Sequence, residues 1–354
     1  MSAELQFSCT GLLFLVIPFR NELDGTHHWY STLAVMAALA VLIEERSPRR
    51  LVLAGALCGL SAWFNQSRGP AGLMGFAIYL LWESYQAKRT WRSLLGQQAL
   101  LCGSFVGTLV GLSSYFVWKA GLERFLYCSV VFVMKYLPLS YGNGWNAYGA
   151  DMPSFDHWYS ATAPGTWLSI HLLVPLVYLL FFFRAWRERV RHPKEPWDRL
   201  MLVSVVGLFL FLGVAPAATQ ERLTTVSLPA LILLVWFAKW SGKLERVVLL
   251  LLWVLALGLV AMETRSTQTH SYETLDLPAG RIAFFHPSDV EVFRWFLAHA
   301  RPSDFLFGDH PGTNFGLRLR NPAQVDFDWV TETDYTRPEQ VQNVVETLEA
   351  KQVR

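Results

Sequence analysis

The chain has 354 residues, 53% of them hydrophobic and only 16% charged, with a formal net charge of +2. Soluble domains usually carry about 25% charged residues, so an ordinary soluble fold is disfavoured. The basic residues are scattered through short connections rather than gathered in one patch, which argues against a nucleic-acid partner.

Apolar runs recur along the whole first three quarters of the sequence, and a bilayer-spanning helix needs about 17–25 such residues. The runs predict about nine hydrophobic segments, at 5–19, 28–43, 49–64, 69–83, 94–118, 166–183, 200–218, 224–240 and 246–262. The expected fold class is therefore an α-helical polytopic membrane protein. No secretory signal is expected, because "MSAELQFS" has neither a basic n-region nor a small-residue cleavage site. Cys9, Cys58, Cys102 and Cys128 form no metal or redox spacing and read as small hydrophobes.

Orientation follows from charge. The connections 44–50, 84–93, 184–199 and 239–246 carry fifteen Lys and Arg residues, against six in the alternate set. Short cytoplasmic loops are enriched in Lys and Arg, so the first set is read as inside. The run 51–82 has basic flanks at both ends, which requires an even number of crossings. "NQSRGP" (65–70) is then the outer turn of two short spans or the tip of a re-entrant hairpin. The same parity puts residues 20–28, 119–165, 219–222 and everything after about 263 outside.

The outer side holds the candidate chemistry. Arg68 lies in the polar turn, and its fork suits a phosphate or carboxylate; it also reads as an interfacial arginine reaching for water. Arg222 sits in a very short turn before the span containing Pro229, where an anionic lipid headgroup or Glu221 would pair with it. "RNELDGTHHWY" clusters Glu22, Asp24, His27 and His28. That set could bind a divalent cation or do acid–base work, or be a solvated loop anchored by Trp29 and Tyr30. It matches no specific metal motif. The long loop opens on an amphipathic stretch and continues "YGNGWNAYGADMPSFDHWYS", where Trp145, Tyr148 and Asp151 offer a sugar- or acceptor-binding surface or an interfacial aromatic belt.

The tail reads as a small α/β domain. Ser288 with Glu291 forms a capping box before "VEVFRWFLAHA", "DFLFG" (304–308) reads as a short buried strand, and Thr336 with Glu339 opens a second helix. The expected organisation is a transmembrane domain, 1–262, and an extracytoplasmic domain, 263–354, the latter incomplete at "KQVR".

"LVLAGALCGLSAWFNQSRGPAGLMGFAIYLLWE" resembles the paired short spans of GT-C-fold glycosyltransferases, of the bacterial protein-mannosyltransferase-like (GT39-like) family. "ERLTTVSLPALILLVWFAKW" is similar to their late Arg-before-Pro span, and the tail to their outer-face domain. The resemblance implies an enzyme of the bacterial inner membrane with a periplasmic C-terminal domain, moving a sugar from a polyprenyl-phosphate donor to an envelope lipid, glycan or protein. It makes Arg222 the expected lipid-phosphate contact, with Arg68 a second from its position. The family's acidic base lies in a first outer loop for which this chain has no counterpart. The chain is therefore expected to be a fragment lacking its first spans and to be inactive alone; Asp24 and Glu22 lie on the right face but are not the family's residues. The rival reading is a transporter or flippase of lipid-linked substrates, with the polar break at 65–70 marking a midplane site.

Overall fold

The computed structural model describes residues 27–131, 168–191, 195–215, 220–240, 273–284, 287–301, 303–307, 311–322 and 338–351, with a few single positions between them. The described chain is mostly helical, with one small two-stranded sheet. It divides into two compact units, one of Met1–Met134 with Tyr141–Ala261, the other of Lys135–Ser140 with Met262–Arg354. The expected segments 5–19 and 246–262 lie wholly or mostly outside the described residues, as do Glu22, Asp24, Trp145, Tyr148 and Asp151.

The first unit is built from helices α1 (His27–Leu42), α2 (Pro48–Phe64), α3 (Arg68–Gln86) and α4 (Trp91–Ala120). The short α5 (Leu122–Leu126) runs into a π-helical turn, Tyr127–Val131. A second π turn, Leu168–Leu173, leads into α6 (Val174–Arg191), followed by α7 (Trp197–Val214), α8 (Gln220–Val226) and α9 (Leu228–Trp240). Helix α2 lies between α1 and α4, and α3 packs chiefly on α7. The shared core includes Val35 and Leu39 of α1, Ala54 and Cys58 of α2, Phe76 and Tyr79 of α3, and Val206 and Leu210 of α7.

Small residues let these helices approach closely. A Cβ on Gly59 would lie 2.6 Å from the Phe105 carbonyl oxygen of α4, and one on Gly75 would lie 2.8 Å from the Val206 Cα of α7. Such contacts favour association where packing, rather than expulsion of water, brings helices together.

Among the described residues two helices are long and apolar enough to cross a bilayer, α4 with 30 residues and α7 with 18. They differ in environment. Most of the apolar stretch of α7 is buried inside the protein, whereas only 11% of that of α4 is. Val106, Val110, Tyr115 and Phe116 of α4 all face outward.

The expected single span 224–240 is broken. Helix α8 ends at Val226 and α9 restarts at Leu228, with Ser227 between them, because Pro229 has no N–H to give and its ring clashes with the preceding turn. The Ser227 hydroxyl instead donates to the Thr224 carbonyl at 2.7 Å. The expected span 200–218 ends earlier as a helix, at Val214.

In the second unit β1 (Glu273–Leu277) and β2 (Gly280–Phe284) form an antiparallel hairpin, with Gly280 at φ 140° in the turn. Helices α10 (Pro287–His299) and α11 (Pro311–Leu317) accompany it, and α12 (Pro338–Ala350) is the last described helix. Leu277, Phe284, Val290 and Leu317 form the core, with the Phe293 ring tilted against Phe284 at 4.7 Å between ring centroids. Two expectations are corrected here. Helix α10 starts at Pro287, so Ser288 lies inside its first turn instead of capping it; proline is preorganised for the first helical position. "DFLFG" forms no buried strand: Phe305 makes a single parallel bridge with Arg320 and is 38% exposed. Thr336 lies outside the described residues.

Candidate anion-binding site

The site is built at the turn between α2 and α3. Asn65 ends α2 with its N–H on the Ser61 carbonyl, and its side-chain oxygen accepts from the Ser67 backbone N–H at 3.1 Å and the Ser67 hydroxyl at 2.8 Å. This small hydrogen-bonded ring turns the chain in three residues, a common use of asparagine. Gly69 then lies directly against the backbone of Ala62, a contact that leaves no room for any side chain. The polar break in the apolar run is thus a tight helix–helix turn.

Because Asn65 Oδ1 is occupied by Ser67, its Nδ2 faces His28, donating to Nδ1 at 3.2 Å. That bond leaves the imidazole proton on Nε2. His27 and His28 stand at the start of α1 with ring centroids 4.1 Å apart.

Arg68 opens α3 and is fully buried. A cation at a helix N-terminus opposes the helix dipole, and this side chain turns away into the space between α1 and α8. One guanidinium nitrogen donates to the His28 carbonyl, to Ser31 Oγ at 3.3 Å and to Thr32 Oγ1 at 3.0 Å. The other donates to Thr225 Oγ1 at 2.7 Å. The fork thereby ties the starts of α1 and α3 to α8, a geometry that a lysine ammonium could not reproduce.

Arg222 belongs to α8 and is only half-buried. Thr225 Oγ1, which receives Arg68, itself donates to the Arg222 carbonyl at 2.8 Å. Both guanidinium charges act electrostatically on His28. Two arginines from distant parts of the sequence therefore share one neighbourhood, one locked in place and the other partly open to the surroundings.

Of the residues expected from sequence, Arg68, Arg222, His27 and His28 come together here. Among the described residues no group of three or more His, Cys, Asp or Glu gathers to hold a cation. Sequence reasoning missed Ser31, Thr32 and Thr225 as the acceptors for Arg68. Their only signal was adjacency of hydroxyl residues within apolar helices, in "HHWYST" and "RLTT".

Compared with known proteins, the chain matches no family model, no curated protein and no solved structure.

Proposed function

We propose that the chain belongs to a polytopic membrane glycosyltransferase of the GT-C type, which moves a sugar from a polyprenyl-phosphate donor to an envelope acceptor. The observation that carries this reading is the hydrogen-bonded link from Arg68 through the Thr225 hydroxyl to the Arg222 carbonyl, which brings two arginines together at one end of a tightly packed set of apolar helices. A polyprenyl donor presents a phosphate at the membrane surface with its chain in the hydrocarbon. A half-open arginine beside a buried, rigidly held one suits that phosphate.

The two arginines divide the work. Arg222 is the phosphate contact, because part of its surface is accessible. Arg68 is a positioning residue, because its fork is committed to α1 and α8 and its side chain is fully buried.

The bilayer setting is supported by α4. A 30-residue apolar helix with almost none of its apolar stretch covered by protein would expose a large apolar surface to water, which monomeric soluble proteins rarely do. At 1.5 Å per residue it measures roughly 45 Å, enough to cross the hydrocarbon core with some tilt. In this reading the turn 65–67, Arg222 and the second unit lie on the periplasmic side.

The test uses the chain purified in a neutral detergent. Binding of undecaprenyl phosphate is expected to be saturable and weakened about tenfold or more by Arg222→Ala, the order of one charge-assisted contact. Transfer of a sugar from the lipid-linked donor is followed in parallel in reconstituted vesicles. Binding that is indifferent to Arg222→Ala would remove the residue from the phosphate role. Transport of the lipid-linked sugar across the vesicle membrane by this chain would replace the enzyme with a flippase.

A further inference from the structure

A second charged site lies at the opposite ends of the helices that build the first. The loop after α1, the C-terminal ends of α3 and α6, and the start of α7 enclose a cleft of about 390 Å³. Clefts that hold small ligands run from about 300 to 1,000 Å³, so this one takes a headgroup-sized molecule. Arg46, Arg189 and Arg199 line it, with Trp82 and Trp197 as its apolar walls.

Its charge balance selects the ligand. Glu195 and Asp198 also line the cleft, so three guanidinium groups face two carboxylates there. Glu83, which neutralises Arg46 at 3.3 Å, is shared with Arg89 at 3.2 Å. The region therefore keeps a surplus of positive charge. Arg189 donates a hydrogen bond to a neutral acceptor, the Gln86 amide oxygen, at 3.4 Å. Among the described residues Arg199 makes no ion pair, and both Arg189 and Arg199 are exposed. The cleft also opens on the positive end of the 18-residue α7, a second contribution of the same sign.

Each element contributes for a local reason. Arg46 is fixed by Glu83 and by the Tyr79 hydroxyl, over whose ring its guanidinium also sits. Trp197 is locked edge-on against Trp236 with ring centroids 5.3 Å apart. One side of the cleft is thus rigid, while Arg189, held among the described residues only by the long bond to Gln86, and Arg199 are exposed on the other side and can close on a ligand. Planar guanidinium pairs recognise phosphate by two parallel hydrogen bonds.

We propose that this cleft binds a phosphate-bearing group, held by Arg189 and Arg199 against the fixed Arg46. The shared chemistry is a phosphate mono- or diester anion, which a free phosphate and an anionic lipid headgroup both supply. The proposal is independent of sugar transfer and of the Arg68–Arg222 site.

The experiment titrates the full chain, purified in a non-ionic detergent, by calorimetry in two arms. The first uses inorganic phosphate, the second phosphatidylglycerol in mixed micelles with phosphatidylcholine micelles as blank. Saturable binding is expected in at least one arm, and Arg189→Gln with Arg199→Gln together weaken it about tenfold or more. Binding confined to inorganic phosphate supports the site with a soluble ligand; binding of the lipid supports it with a headgroup. Arg92→Gln, at an exposed arginine in the first turn of α4 outside the cleft, is expected to change affinity less than about twofold, as for a distant screened charge. The proposal is overturned by absence of saturable binding in both arms. It is equally overturned if the double variant binds like the parent, or if Arg92→Gln weakens binding as much as the double variant does. Because both cleft arginines are exposed, the variants are expected to melt with the parent, which circular dichroism checks.

Discussion

Arg68 allows the difference between filling space and supplying charge to be measured. Its guanidinium reaches the His28 carbonyl and the hydroxyls of Ser31, Thr32 and Thr225. Losing a charged donor usually costs about 1.5–3 kcal/mol per hydrogen bond when acceptors are orphaned. Here they are not all orphaned. The Ser31 hydroxyl already donates to the His28 carbonyl at 2.9 Å, and Thr225 Oγ1 to the Arg222 carbonyl. The guanidinium, for its part, is stripped of water, a penalty of several kcal/mol that an apolar side chain does not incur. Arg68→Met keeps most of the stem and is therefore expected to cost about 1 kcal/mol or less. Arg68→Ala leaves a hole between α1, α3 and α8 and is expected to cost about 2–5 kcal/mol, as other large-to-alanine changes do. Thermal unfolding in one detergent, followed by circular dichroism, orders the two. If Arg68→Met is as damaging as Arg68→Ala, the fork and not the volume holds the helices, and the space-filling reasoning fails.

Three further substitutions probe other parts of the fold. Gly69→Ala drives a methyl into the backbone of Ala62, and a loss of about 1–3 kcal/mol is expected in the same melting assay; an unchanged melting temperature would mean the turn at 65–67 is looser than described. Lys88 follows α3 at φ 51°, in the left-handed region, so Lys88→Gly is expected to stabilise by about 1 kcal/mol, and a destabilised variant would contradict that backbone geometry. Asp276 receives a hydrogen bond from Arg281 at 2.8 Å, and that bond together with the guanidinium charge holds its carboxyl below the ordinary aspartate value. Its contribution is therefore present above the ordinary value and fades as pH falls through the lowered one. Carbon NMR of the carboxyl is expected to show the midpoint rising towards the ordinary value in Arg281→Gln; an unmoved midpoint would refute the pairing.

The positions of the longer helices were legible because apolar residues run almost without interruption through segments such as 200–214 and 228–238. The turn at 65–67 was legible for the complementary reason. A cluster of Asn, Gln and Ser inside such a run has few structural uses other than reversing the chain. Ser31, Thr32 and Thr225 were not legible as a group. A hydroxyl within a helix can satisfy itself on the carbonyl three or four residues back, and Ser31 and Thr225 do so. Only the fold reveals that Arg68 reaches the same oxygens. The hairpin at 273–284 escaped because five-residue strands separated by a two-residue turn leave only a faint alternation. The break at Ser227 escaped because Pro229 sits where both a kinked span and a fresh helix start are compatible with the sequence.

The burial of Arg68 changes what that residue can do in a phosphate-binding site. A guanidinium free at a surface can move to its ligand, but one fixed on two other helices can only hold its neighbours in place. Its positive charge still acts on His28 alongside Arg222, and it does so from a fixed position. An anion approaching Arg222 would meet a field already organised by Arg68, with no further ordering cost for the buried side chain. Arg222, half-open, would lose rotamer freedom on binding, about 2 kcal/mol at most for an arginine. Pairing a buried with a half-buried arginine would limit that entropic loss while keeping the attraction of two charges. The same division recurs in the second cleft, where Arg46 is fixed by Glu83 and Tyr79 while Arg189 and Arg199 remain exposed. At both ends of the helices one arginine is committed to structure, and on the two proposals above its more exposed neighbours would be the ones to meet a ligand.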